Sequence, residues 1–268
     1  MDIESCPEQH AAIALDHVEK IGFRLSSDPK TSVVKCRNIV PVCDSSDGRR
    51  SVVYASGMSG SGKTTFALSM IVASLLADNR PSRVLVITRE KIDHEPAFFE
   101  SYYGLPSLVS LDVPIHNFDV ADLIEQNLTH TFLDTCAGWV TYLLLDDMDS
   151  LINKDEKKYY KEFEHLVLTR ARKYRVNVFI CNHRPAGGES TKWIVGEMTG
   201  LYIPFRTKIS ANFKNMLVTH ADLGEIAGVP FADFIETHKD VDRWAYISLD
   251  NEHGRRYCVT PSKILFVD

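Results

Sequence analysis

The chain has 268 residues, of which 44% are hydrophobic and 25% are charged, and its formal net charge at pH 7 is −6. These values fit a globular protein of one or two domains and disfavour a free-standing nucleic-acid binder. The sequence has no apolar run long enough to span a bilayer, no secretory signal at its acidic N-terminus and no Cys-x-x-Cys pair of the kind found in zinc and redox sites. We therefore expect a cytosol-like compartment.

Residues 1–48 form a predicted N-terminal extension, with helical character over residues 10–20. The predicted core, residues 49–220, alternates strand-like and helix-like segments, which is typical of an α/β fold with a mainly parallel central sheet flanked by helices. Its predicted strands are 51–56, 83–88, 114–118, 140–145, 176–181 and 201–205, and its predicted helices are 65–76, 121–127 and 156–174. Residues 221–268 form a predicted C-terminal α+β segment packed on the core, with a helix at 231–237 and strands at 244–249 and 263–267.

A glycine-rich loop lies between the first strand and the first helix of the core. Gly57-Met58-Ser59-Gly60-Ser61-Gly62-Lys63-Thr64 matches the phosphate-binding pattern Gly-x-x-x-x-Gly-Lys-Thr. Glycines let backbone N–H groups point at phosphate oxygens, and the following helix adds the positive end of its dipole. Lys63 is expected to reach the β- and γ-phosphates, and the Thr64 hydroxyl is expected to bind Mg²⁺. The predicted nucleotide-binding residues are Gly57, Ser59, Gly60, Ser61, Gly62, Lys63, Thr64 and Thr65.

Two carboxylates follow the apolar strand at 140–145. In an enzyme with a phosphate-binding loop, the first, Asp146, is expected to orient Mg²⁺ or its water. The second, Asp147, is expected to polarise the water that attacks the γ-phosphate. The alternative is a strand that ends in an acidic turn. Asp149 also lies nearby, but its position is more typical of a helix N-terminus than of a metal ligand.

Polar residues also follow the strand at 176–181, which we expect beside the strand that enters the loop. Asn182 is therefore a candidate to hold the lytic water or to sense hydrolysis, with a helix cap or a turn as the alternative. His183 is a weaker candidate.

Phosphoryl transfer gains from an arginine placed against the charge of the transition state. Three arginines are candidates for this role: Arg172 and Arg175, between the strands at 140–145 and 176–181, and Arg206, after the strand at 201–205. The alternative for each arginine is a solvated surface position with no catalytic role, and the sequence does not choose among the three.

From about residue 50 to about residue 250, the chain resembles the viral DNA-packaging ATPases of poxviruses and other large double-stranded DNA viruses of eukaryotes. These ATPases belong to the FtsK/HerA group of DNA-pumping motors. The resemblance lies in an apolar strand ending in Thr88, a long insert, the run Leu143-Leu144-Leu145-Asp146-Asp147, a basic helix end at 170–175, and Cys181-Asn182 after the next strand. The family often has glutamine where this chain has Asn182.

This resemblance implies an FtsK/HerA-like core of the RecA type that hydrolyses ATP with Mg²⁺. It also implies a homo-oligomeric ring, pentameric or hexameric, that drives double-stranded DNA into a preformed capsid in the virion or at the virus assembly site. Capsid or portal vertex proteins would be further partners. Arg172 resembles the family's candidate for an arginine that acts on a neighbouring subunit, and Arg206 resembles its arginine after the next strand.

Three other functions are open to a chain with this loop. A small-molecule phosphotransferase, such as a nucleoside or nucleotide kinase, needs an acceptor pocket, and residues 89–106 are a candidate substrate loop. A GTP-dependent switch requires Asn-Lys-x-Asp, whereas residues 153–156 read Asn-Lys-Asp-Glu. A degenerate nucleotide-binding scaffold is disfavoured because the lysine, the threonine and both aspartates are present.

Overall fold

A computed structural model describes residues 12–16, 19–22, 34–35, 39–43, 49–89, 105–184, 189–205, 211–220, 222–226, 228–249 and 256–267. The strands are β1 (Ala12–Asp16), β2 (Glu19–Gly22), β3 (Val34–Lys35), β4 (Ile39–Pro41), β5 (Val52–Ser56), β6 (Ser82–Thr88), β7 (Ile115–Phe118), β8 (Val140–Asp146), β9 (Val176–Asn182), β10 (Gly200–Pro204), β11 (Glu225–Ile226), β12 (Val229–Pro230), β13 (Trp244–Ser248), β14 (Tyr257–Thr260) and β15 (Lys263–Phe266). The α-helices are α1 (Lys63–Ala77), α2 (Val120–Glu125), α3 (Leu128–Thr135), α4 (Lys154–Arg170), α5 (Glu189–Glu197), α6 (Ala211–His220) and α7 (Phe231–His238). Short 3-10 helices lie at Leu108–Ser110, Met148–Ser150 and Ala171–Tyr174.

In the described ranges, ten strands form one sheet in the order β3-β15-β14-β13-β10-β5-β9-β8-β6-β7. The pairings from β10 through to β7 are parallel, and the four strands beyond β10 are added by antiparallel pairing. The predicted α/β fold with a mainly parallel central sheet is therefore confirmed. Since β9 lies between β5 and β8, the carboxyl ends of these three strands meet at one edge of the sheet.

Helices cover both faces of the sheet. Side chains along each central strand alternate between two hydrophobic cores, so that Leu143 and Leu145 lie in one core and Tyr142 and Leu144 in the other. The core around Leu143 also takes side chains from α2 to α7, whereas the other core takes those of α1. This double coverage explains why all seven residues of β8 are buried and why the strand has no polar alternation in sequence.

The prediction of helical character over residues 10–20 is wrong. β1 and β2 lie there and pair antiparallel, with Ile13 opposite Gly22, and β1 also pairs with β4. A short run of mixed apolar and polar residues fits the helical and the strand period equally well, and pairing with β4 decides between them.

The borders predicted at residues 48/49 and 220/221 both fall between strands of the same sheet. β3, from the predicted extension, pairs with β15, and β13, from the predicted C-terminal segment, pairs with β10. Val40 of β4 is fully buried in the core beside α1. The division into three parts stays a prediction. No α-helix among the described residues is long and apolar enough to cross a membrane.

Candidate functional site

The glycine-rich loop joins β5 to α1 at the carboxyl edge of the sheet. Gly62 precedes α1 with a φ of 85°, a left-handed conformation that favours glycine. A Cβ atom at Gly57 would lie 2.9 Å from Ser61 Oγ and 3.0 Å from Pro204 Cγ, so close packing favours glycine at the first position of the loop. Tyr202 of β10 donates its hydroxyl to the carbonyl of Ser61 at 2.7 Å and holds the loop from the side.

Lys63 is the first residue of α1 and is buried at 5% exposure. Its Nζ donates to the carbonyl oxygens of Gly57 at 2.9 Å and Met58 at 3.2 Å, so the ammonium group lies across the inside of the loop. The first N–H groups of a helix have no partner within that helix, and here they lie beside this cation. Lys63 and the start of α1 thus combine two sources of positive charge, as an anion site requires.

Asp146 ends β8 and contacts the loop directly. The Thr64 hydroxyl donates to Asp146 Oδ2 at 2.9 Å, while the buried Oδ1 atom has no hydrogen-bond partner in the described part of the chain. Burial raises the pKa of Asp146 to about 6, the charge of Asp147 adds to the rise, and the hydrogen bond from Thr64 opposes it. A carboxylate in such surroundings gains from a nearby cation, and a hydroxyl and a carboxylate are hard oxygen donors suited to Mg²⁺.

Asp147 follows β8 in a left-handed conformation, with a φ of 57°. Its N–H donates to the carbonyl of Cys181 at 2.9 Å. His183 Nε2 lies 2.8 Å from Asp147 Oδ1, and the carboxylate of Asp149 accepts the N–H of His183 at 3.1 Å and of Arg184 at 2.9 Å. Three polar contacts therefore join the turns after β8 and β9, and a fourth ties the turn after β8 to β9 itself.

Asn182 is the last residue of β9 and pairs in register with Ser56, the last residue of β5. Its carbonyl accepts the N–H of Gly57 at 3.2 Å. The half-buried Asn182 side chain therefore lies where the loop begins, next to the turn that carries the two aspartates. Its proposed role toward water stays a prediction.

The candidate arginines lie elsewhere. Arg172 is exposed in the 3-10 helix before β9, and Arg175 caps that helix, so both lie at the amino edge of the sheet. A seven-residue strand separates them from the phosphate-binding loop by roughly 20 Å. The structure does not bring Arg172 to the site of its own chain, so a role for it would require a second subunit. Arg206 lies outside the described residues.

Sequence reasoning gave little weight to His183 and Asp149 and missed Tyr202. The available signal was the spacing of two polar turns, Asp146-Asp147-x-Asp149 and Asn182-His183-Arg184, after strands predicted to be close in the sheet. Contacts between turns that are 34 residues apart depend on strand order, which no local pattern specifies.

No family model matches the sequence, and no curated protein matches it. Among solved structures, the genome packaging NTPase B204 from Sulfolobus turreted icosahedral virus 2, in complex with ATP-gammaS, aligns with a TM-score of 0.46 and 10% identity over 78% of this chain and 96% of that one. ATPases 2 and 3 of EssC from Geobacillus thermodenitrificans align with a TM-score of 0.49 and 11% identity over 100% of this chain and 45% of that one. ATPases 2 and 3 of EccC from Thermomonospora curvata, in complex with a signal sequence peptide, align with a TM-score of 0.40 and 13% identity over 98% of this chain and 41% of that one. This chain thus spans less than half of the EssC and EccC chains.

Proposed function

We propose that this chain is an ATP-hydrolysing motor that moves double-stranded DNA into a preformed viral capsid. The observation that carries the ATPase part is the hydrogen bond of 2.9 Å between Thr64 and Asp146, beside a phosphate-binding loop whose lysine lies inside it. The packaging part is supported by the order and spacing of motifs between residues 50 and 250, which resemble those of viral DNA-packaging ATPases. The cellular site of action is then the virion or the virus assembly site.

The two residues joined by that hydrogen bond fit a magnesium ion. Asp146 offers a buried oxygen, Oδ1, that has no partner among the described residues, and Thr64 can turn its hydroxyl away from Oδ2. Thr64 and Asp146 would hold Mg²⁺, and the ion would neutralise negative charge that develops during phosphoryl transfer. No group of three or more His, Cys, Asp or Glu side chains in the described ranges could hold a metal by itself, so phosphate oxygens and water would complete the coordination.

The roles of Lys63, Asp147 and Asn182 are assigned from their positions at the carboxyl edge of the sheet. Lys63 exchanges its two carbonyl partners for oxygens of the β- and γ-phosphates. Asp147 accepts a proton from the water that attacks the γ-phosphorus, while the bond from this phosphorus to the β–γ bridging oxygen breaks and ADP leaves. Asn182 would orient the same water. Arg172 would act on the nucleotide of a neighbouring subunit in a homo-oligomeric ring.

Such a motor must move DNA of any sequence, so it is expected to grip backbone phosphates rather than bases. The partners in this proposal are double-stranded DNA, further copies of the chain in a pentameric or hexameric ring, and a capsid or portal vertex protein. A net charge of −6 requires that the basic residues for DNA cluster on one surface, such as the ring lumen.

The deciding experiment is steady-state ATP hydrolysis with and without linear double-stranded DNA, with the Lys63→Ala variant as the blank. We expect DNA to stimulate hydrolysis, and the stimulated rate to vanish in the blank. Thr64→Ser and Thr64→Val form a matched pair, because serine keeps the hydroxyl and valine keeps only the shape. We expect serine to retain hydrolysis and valine to lose roughly 100-fold.

Hydrolysis that depends on Lys63 but ignores DNA would refute the motor and leave the ATPase. If the valine and serine variants were equally active, the magnesium assignment to Thr64 would fail. Molar mass measured by light scattering with a non-hydrolysable ATP analogue tests the ring, and a monomer under all conditions would exclude a role for Arg172 in a neighbouring site.

One observation favours a small-molecule phosphotransferase as the second candidate. An open cleft of about 600 Å³ lies at the same sheet edge, near the ends of β6 and β7, and is lined by Arg89, Asp119, Val120, Ala121, Leu151, Ile152, Asn153 and Glu156. Its charged groups would suit a polar acceptor. The predicted substrate loop at 89–106 falls largely outside the described residues. ATP turnover that rises with nucleosides or nucleotides, and yields phosphorylated products, would establish this function instead.

A further inference from the structure

The main chain of Asp147 is fixed while its side chain reaches solvent. The N–H group of Asp147 is bound by the Cys181 carbonyl, and the residue holds a left-handed conformation directly after β8. Its side chain is 41% exposed. An exposed carboxylate on a short side chain samples several rotamers unless a neighbour restrains it. A carboxylate that activates water must keep one orientation, so the identity of that neighbour matters.

His183 is the neighbour that restrains it. Nε2 of the His183 ring lies 2.8 Å from Asp147 Oδ1, which is hydrogen-bond distance, and a carboxylate can only accept, so the ring nitrogen donates. This contact uses one carboxylate oxygen and leaves Oδ2 for another donor. The ring is 31% exposed, and an ion pair between groups this exposed contributes little to folding.

The main chain beneath the His183 ring is itself held from two sides. Both oxygens of Asp149 accept backbone N–H groups, Oδ1 from His183 and Oδ2 from Arg184. The Arg184 carbonyl accepts the hydroxyl of Tyr54, from β5, at 3.3 Å. These contacts fix the turn after β9 relative to the turn after β8 and to the strand that enters the phosphate-binding loop. His183 therefore reaches Asp147 from a rigid support rather than from a free loop.

We propose that His183 is a positioning residue for hydrolysis: its ring N–H holds Asp147 Oδ1 so that Oδ2 is directed to the attacking water, and Asp149 supports His183 through its backbone. This inference rests on the proposed function, in which Asp147 accepts the proton of that water. Positioning of this kind affects the chemical step and leaves nucleotide binding unchanged, because neither the histidine nor Asp149 contacts the phosphate-binding loop through a hydrogen bond in the described part of the chain.

The test compares His183→Ala with His183→Gln in the full chain. Glutamine can donate an amide N–H to Asp147, whereas alanine cannot. We expect kcat for ATP to fall about 10- to 100-fold in the alanine variant, with KM and the affinity for a fluorescent ATP analogue unchanged within about twofold. We expect glutamine to restore kcat to within about fivefold of the unchanged chain. His130→Ala, at an exposed position on α3, is the matched control and should behave as the unchanged chain.

A double variant shows whether the histidine acts through Asp147. In Asp147→Asn the water-activating group is already lost, so adding His183→Ala should lower kcat no further, whereas independent effects would multiply. Asp149→Ala should show a smaller fall in kcat than His183→Ala, and adding Asp149→Ala to His183→Ala should lower kcat no further.

Two outcomes would overturn the inference while leaving the proposed ATPase intact. The first is a His183→Ala variant with unchanged or raised kcat. The second is a loss of kcat in His183→Ala that His183→Gln does not restore, accompanied by a lower nucleotide affinity and a lower unfolding midpoint. That combination is the behaviour of a structural residue. If the unchanged chain shows no hydrolysis that depends on Lys63, the proposed function itself fails, and the two failures are thus distinguishable.

Discussion

The most direct test of the packing behind the site is the replacement Glu164→Gln. Glu164 lies on the buried face of α4 at 4% exposure, and Tyr160, one turn earlier, donates its hydroxyl to Glu164 Oε1 at 2.9 Å. Burial raises the pKa of Glu164 from 4.5 to about 7, and the hydrogen bond from Tyr160 only partly offsets that rise. Glutamine has nearly the same shape and can accept the same hydrogen bond, but it cannot ionise.

The sign of the pH dependence follows from this raised pKa. Below about pH 4.5 both the folded and the unfolded chain carry the proton, so burial of the carboxyl brings no ionisation penalty. Between pH 4.5 and pH 7 the unfolded chain loses this proton and the folded chain keeps it, so the free energy of unfolding falls as the pH rises. The full loss corresponds to about 3 kcal/mol. The glutamine variant does not undergo this loss. Its free energy of unfolding, relative to that of the unchanged chain, should therefore increase by about 2 to 3 kcal/mol from pH 5 to pH 8.

Urea unfolding followed by tryptophan fluorescence at pH 5 and pH 8 measures both free energies of unfolding. Subtracting one chain from the other removes the contributions of all other titrating groups. Glu162→Gln, at an exposed position on the same helix, controls for the loss of one negative charge. A difference between the glutamine variant and the unchanged chain that stays constant with pH, or that shrinks toward pH 8, would refute the assignment of Glu164 as a neutral buried acid.

Two further replacements test the support of the loop and the sheet. Tyr202→Phe removes the hydroxyl that donates to the Ser61 carbonyl. We expect the free energy of unfolding, measured with urea, to fall by about 1 kcal/mol. We also expect ATP to bind severalfold more weakly in a nucleotide titration. Gly200→Ala would place Cβ 2.5 Å from the Tyr246 ring in the core, so we expect a loss of about 1 to 3 kcal/mol, and wild-type stability would contradict the packing described for β10. The matched change Gly196→Ala, in α5 with open space around it, should be neutral or should stabilise by up to about 1 kcal/mol.

The sequence alone predicts the central part of the fold well. Strands 140–145 and 176–181 are mostly apolar because both faces of the sheet are covered, and the structure places β8 and β9 there. The loop from Gly57 to Thr64 has a strict pattern because backbone geometry and phosphate chemistry both constrain it. In contrast, β14 went unpredicted, and residues 10–20 were assigned a helical instead of a strand period, since these short segments gain their structure from pairing with adjacent strands rather than from a clear period of their own.

The same distinction, between local patterns and long-range pairing, applies to the residues of the candidate site. Lys63, Thr64, Asp146 and Asp147 are predictable because each belongs to a motif with a fixed place relative to a strand end. The pairing of His183 with Asp147 is not, because it depends on two turns that only the strand order brings together. The arginine candidates show the limit of spacing arguments, since Arg172 lies in sequence between the two motif strands but at the opposite edge of the sheet.

β9 also constrains how the candidate site could move in the proposed function. The first residue after each neighbouring strand donates its N–H to the end of β9: Gly57 to the Asn182 carbonyl, and Asp147 to the Cys181 carbonyl. The glycine-rich loop and Asp147 therefore share one rigid support, and neither can shift relative to the other without breaking a backbone hydrogen bond. In the proposed function, motion driven by ATP would then begin with side chains that change partners, such as Lys63, which would give up two loop carbonyls on binding phosphate. Under the proposed function, the signal leaving the site would be carried by groups outside this support and not by rearrangement of its strands.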